Sequence, residues 1–92
     1  MRYQVTFPDD FDDFEWADIE AKGWLEGVRI VWDDDERTLS IFDGVRLAQA
    51  VAVDVGRLGY FAAKALLVVQ SVTRDQIELA VSRMAERGFS DL

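Results

Sequence analysis

The stretch Val28 to Phe42, VRIVWDDDERTLSIF, constrains the fold more than any other part of the chain. Two runs of β-branched and aromatic residues flank four consecutive acids, Asp33, Asp34, Asp35 and Glu36. Val28, Ile30 and Trp32 recur at every second position before the acids, and Leu39 and Ile41 do so after them. Side chains on a strand alternate between its two faces, so this spacing predicts two antiparallel strands, each with one apolar face. The polar run between them predicts a four-residue hairpin loop over 33 to 36. Asp suits such a loop because its carboxylate bonds nearby backbone amides and its backbone tolerates turn geometry.

On the N-terminal side, Tyr3, Val5 and Phe7 alternate with Gln4 and Thr6 and predict a further strand, ended by Pro8, which has no amide donor. DDFDDF then reads as an acidic loop with Phe11 and Phe14 as inward anchors. Two readings compete over 15 to 22. Asp12 with Glu15 three residues on, and Gly23 as a stop, argue for a helix. Ala17, Ile19 and Ala21 alternating with Asp18, Glu20 and Lys22 argue for a strand, and the strand is the expectation here.

Beyond the hairpin, Asp43 is a good N-cap for a helix running to Gly56 or Gly59, with Leu47, Ala48, Val51, Val55 and Leu58 on its buried face. ALLVV, 65 to 69, is apolar at successive positions and predicts a strand covered on both faces, in the middle of the core. The segment from Val72 to Phe89 carries a full set of helix signals: a Thr73/Gln76 capping box, a Val72/Ile77 staple and Asp75 in the first turn. Ile77, Ala80, Val81 and Met84 form its apolar stripe, and Gly88 supplies a left-handed stop after which Phe89 folds back on Met84. These elements predict an α+β fold in one compact domain spanning 1 to 92. Its small mixed or antiparallel sheet has about four or five strands, with the 44–58 and 73–87 helices packed on one face.

Composition decides which functions are open. Half of the residues are hydrophobic, too apolar for a disordered chain. Residues 1 to 36 hold twelve acids against three bases, net −9, whereas 37 to 92 hold seven bases against six acids, net +1. Such a field repels phosphate, so neither nucleic acid nor an anionic membrane surface is an expected partner. No run approaches the ~20 apolar residues of a membrane span and no secretory leader is visible, which gives a cytoplasmic protein as the expectation.

With no Cys and no His, the usual zinc and copper ligands and the usual nucleophile and base pairs are missing. Neither acidic run fits an EF-hand loop, because position six is Thr38 counting from Asp33 and Glu15 counting from Asp10, where a Gly is needed. A carboxylate pair such as Asp9 and Asp13 could serve glycoside chemistry, but a chain this short leaves little room for a cleft. One Gly at position 44 is no phosphate-binding loop, and no cofactor is expected.

Recognition of another protein is what remains. The expectation is a non-catalytic interaction or inhibitory module whose acidic surface engages a basic protein, through Asp9, Asp10, Asp12, Asp13, Trp16, Asp33, Asp34, Asp35 and Glu36. Trp24 and Trp32 are expected in the core. The alternative is a self-associating structural subunit, a homodimer formed through an apolar face or a free sheet edge. Weak binding of a divalent metal or a small enzyme is the remainder.

Overall fold

The computed structural model describes residues 2–92. The chain runs β1 (Tyr3–Thr6), α1 (Asp13–Lys22), β2 (Trp24–Trp32), β3 (Asp35–Asp43), α2 (Gly44–Leu58), β4 (Leu66–Val69) and α3 (Arg74–Glu86). The fold is α+β: a mixed four-stranded sheet in the order β1-β2-β3-β4, with three helices. β1 and β3 each pair antiparallel with β2, and β4 lies parallel to β3 at the far edge.

The β2–β3 hairpin is the centre of the molecule, as its alternation predicts. Val28 faces Leu39 and Leu25 faces Ile41 across the ladder. Val28, Ile30, Leu39 and Ile41 are almost wholly buried. Burying one such side chain is worth about 1.5–3 kcal/mol, so this one face supplies much of the stability of a small domain. The connection is tighter than the four residues expected. Asp35 already pairs with Trp32 and Glu36 with Val31, leaving a two-residue loop of Asp33 and Asp34. Asp33 stands at φ 48°, the left-handed conformation that the first loop position of a two-residue hairpin requires and that Asp tolerates. At the other end β2 extends back to Trp24 through a bulge at Gly27, φ 87°, where the ring of Pro8 lies close by.

Residues 15 to 22 form a helix, not the expected strand, and the cause is local. The Asp12 carboxylate accepts from the Glu15 amide at 2.8 Å and the Glu15 carboxylate accepts from the Asp12 amide at 3.3 Å, a complete capping box. Gly23, φ 71°, closes the helix by donating to the Ile19 carbonyl. The alternating Ala17 and Ala21 are exposed and too small to hold a strand in place, whereas Trp16 and Ile19, three apart, turn inward.

α3 matches most of its signals, but only half of the expected Thr73/Gln76 capping box forms, since the Thr73 amide donates to the Ser71 carbonyl. Thr73 accepts from the Gln76 amide, and Val72 and Ile77 are fully buried as a staple. The Phe89 amide donates to the Met84 carbonyl and the Gly88 amide to that of Ala85, the two bonds of a Schellman stop. Phe89 is thereby carried into the core, where its ring lies 4.5 Å from that of Trp32 and 5.6 Å from that of Tyr3.

One core results, between one face of the sheet and two helices. Ile19 of α1 and Ile77, Val81 and Met84 of α3 close over Leu25, Val28, Ile30, Trp32, Leu39, Ile41 and Val69. The helices that share this core are therefore α1 and α3. α2, expected to pair with α3, contributes nothing to it: of its predicted buried face, Leu47 and Val51 are half-buried and Ala48, Val55 and Leu58 are exposed. β4 departs from expectation too. It is an edge strand, and Val68 is 46% exposed. α3 and α2 both pack against β4, but no described strand pairs with its outer edge.

Candidate interaction surface

The two acidic runs lie at opposite ends of one ladder. Tyr3 pairs with Trp32, beside Asp33, and Thr6 pairs with Arg29, leading into Pro8 and Asp9. The ladder between them spans about 10 Å of strand, and the separation of the runs exceeds the screening length of about 8–10 Å at physiological salt. Each run consequently acts on its own surroundings.

Local structure already occupies much of both. Asp12 caps α1, Asp13 and Glu15 sit favourably in its first turn, and Asp9 accepts from the Asp10 amide. At the hairpin, Glu36 lies 3.2 Å from the Arg29 guanidinium, and Asp35 lies 3.9 Å from that of Arg37, which rests over the Trp32 ring. Among the described residues neither Asp33 nor Asp34 has an ion-pair partner, so the tip of the hairpin is the uncompensated part of that run.

Trp16 is half-buried in an aromatic cluster, packed edge-on against Phe7 at 5.2 Å and Phe11 at 5.3 Å, with the Arg74 guanidinium over the Phe7 ring. Its ring fastens the 7–11 loop to α1. The hydrogen bond from Arg74 to Glu78, and then the charge of Glu78, hold that guanidinium even more firmly in its charged form. Two open grooves border this cluster. One of about 340 Å³ lies between α1 and the start of β2, beside Trp24, and the other, about 460 Å³, lies along the outer edge of β1. Trp32 is buried, but Trp24 is exposed at the mouth of the first groove. No titratable side chain is buried, and no group of three or more acids is placed to hold a metal ion, among the described residues. No described helix is long and apolar enough to cross a membrane.

The largest unexplained surface lies elsewhere. Of ten exposed large apolar side chains, six fall between Val45 and Val68: Val45, Val53, Val55, Leu58, Tyr60 and Val68. At 100° per residue, the half-buried positions Leu47, Ala50, Val51 and Asp54 define the side of α2 turned to the protein. Adjacent to it round the helix come Val55, Ala48, Ala52, Val45 and Gly56, all exposed and none able to carry charge. Arg46, Gln49 and Arg57 occupy the remaining arc, with Val53 among them. A helix merely lying on a domain would turn charged residues to water over that whole outer surface.

The sheet continues the same character. Trp24 faces Phe42, and Phe42 faces Val68, so by the alternation of the pleat these three stand in a row on the side away from the core, with Trp24 and Val68 exposed and Phe42 between them buried. β4 pairs only with β3, which leaves its outer amides and carbonyls free along Leu66–Val69. Sequence reasoning passed over this surface because it assigned both α2 and ALLVV to the core. The available signal was that the apolar arc of α2 is wider than one packed face needs.

No family model matches the chain, and neither a curated protein nor a solved structure matches it significantly.

Proposed function

We propose that this protein is a non-catalytic protein–protein interaction module whose contact surface is the uncovered side of α2 together with the free edge of β4. The observation that carries this reading is the concentration of exposed large apolar side chains between Val45 and Val68. Contiguous apolar patches beyond a few hundred Å² are uncommon on monomers and mark interaction sites. Covering a patch of roughly 500 Å² at ~25 cal/mol per Å² contributes on the order of 12 kcal/mol, comparable with the 4–15 kcal/mol that association costs. Apolar contact alone therefore supports moderate affinity, and hydrogen bonds to the β4 edge add to it.

A second reading has one observation in its favour: Asp33 and Asp34 stand unpaired at the hairpin tip, where a basic protein could meet them. Capture of partners from a lysate of the native host separates the two, with the wild type beside Ala52→Glu and the double variant Asp33→Asn, Asp34→Asn, at low and high salt. The α2–β4 reading expects Ala52→Glu to abolish capture and salt to change it little. Loss of capture in the Asn variant and at high salt, with Ala52→Glu unaffected, would overturn it in favour of the hairpin tip.

A further inference from the structure

We infer that the occupant of the α2–β4 surface is a second copy of the chain, joined about a two-fold axis that pairs β4 with the β4 of its mate; this rests on the interaction-face reading above.

The two edges of the sheet are treated differently. β1, YQVT, has neither charge nor proline of its own, but beyond Phe7 it runs into Pro8, Asp9 and Asp10, the kind of residues that keep an edge from pairing with another chain. β4 is LLVV, with neither charge nor proline, and its outer edge is bare. An edge of that composition is completed by another strand, and a second β4 is one of matching length and matching apolar character.

The symmetry then accounts for the helix. Antiparallel pairing of β4 with β4 needs a two-fold axis roughly normal to the sheet. That operation preserves faces, so it brings together what packs against each β4: α3, which shares the core, and α2, which does not. The uncharged arcs of the two α2 helices are thereby turned toward each other. Ala48, Ala52 and Gly56, four residues apart, are small enough for the backbones to approach at the shorter end of the 8–10 Å range of packed helices.

Charge points to the same face. Residues 44 to 68 contain Arg46, Arg57 and Lys64 against Asp54 alone, net +2 in a protein of net −8, so everything else totals −10. Two copies repel over most of their surface and least here. The exposed apolar side chains of this segment, Val45, Val55, Leu58, Tyr60 and Val68 among them, supply part of the ~800 Å² per partner of a stable interface, and the β4 ladder supplies further area.

Because the chain has no cysteine, single introduced thiols report on this geometry without background. Val68→Cys and, as a control on α1, Phe14→Cys are treated with a short thiol-to-thiol linker, and sedimentation equilibrium is run on the wild type and on Ala52→Glu. The expected result is a wild-type dimer at micromolar concentration, efficient linking through residue 68 but not 14, and at least a tenfold weaker association for Ala52→Glu with its far-ultraviolet spectrum unchanged. A wild type that stays at 10.5 kDa at every concentration overturns the second-copy inference, while the interaction-face reading stands or falls on the capture experiment. A dimer that ignores Ala52→Glu and links through residue 14 overturns the second-copy inference as well.

Discussion

The β2–β3 hairpin and the α2–β4 segment are both apolar, yet only one of them is closed. In the hairpin, α1 and α3 cover one apolar face, and the opposite face carries Arg29, Glu36 and Thr38 toward solvent, with Trp24 and Phe42 only at its far end. In α2 and β4, apolar residues continue past the side that the protein covers, and Val55, Leu58 and Val68 remain in water. A folded chain tolerates single exposed apolar residues without consequence, but a whole uncharged helix arc beside a bare strand edge is what an interface looks like before its partner arrives.

That contrast can be broken by mutation. Ile30→Ala removes a fully buried side chain from the closed region and is expected to lower stability by about 2–5 kcal/mol in urea unfolding. Val55→Ala and Leu58→Ala, measured where the protein is monomeric, are expected to change stability by under about 0.5 kcal/mol, since both positions are already open to water. Comparable losses at Ile30 and Leu58 would mean that α2 is part of the core after all.

Gly23 joins the two regions and sharpens the comparison. It ends α1 at φ 71°, its carbonyl accepts from the Asp43 amide at 2.9 Å, and a Cβ at this position would strike the Asp43 carboxylate that caps α2. Gly23→Ala is expected to cost about 1–3 kcal/mol and to loosen the start of α2, seen as faster amide exchange near Arg46. Asp12→Ala removes the capping box of α1 and is expected to cost about 1 kcal/mol in thermal unfolding. Smallest of all, Asp33→Asn with Asp34→Asn should shift stability by no more than about 0.5 kcal/mol, because neither carboxylate has an ion-pair partner among the described residues. A larger destabilisation would show that the tip is held by its charge rather than by its turn geometry.

How much of this the sequence carries depends on whether the deciding force is local. The caps at Asp43 and Thr73, the staple of Val72 and Ile77, and the Schellman stop at Gly88 involve neighbours in the chain, and each is legible. α1 is the instructive miss. Its capping residues point to the helix, and the alternation of Ala17, Ile19 and Ala21 that points to a strand rests on side chains too small to enforce one. β4 and α2 fail for a different reason. Hydrophobic residues show which surfaces need covering and not which element covers them, so LLVV reads equally well as a central strand and as an edge awaiting a neighbour. For the candidate site, the spacing of Ala48, Ala52 and Gly56 was visible in the sequence, but its exposure follows only from the placement of α1 rather than α2 over the core. The acidic runs were plain to see; that the β1–β2 register sets them at opposite ends of one ladder was not.

The most direct test of the account is hydrogen–deuterium exchange of the wild-type protein over a hundredfold dilution series. Exchange at the β4 amides and along α2 should slow markedly as concentration rises, while β1, the hairpin tip and residues 9 to 13 exchange at unchanged rates. Exchange that is independent of concentration throughout, or protection confined to β1 and the acidic runs, would contradict the assignment of α2 and β4 as the contact between two copies of the chain.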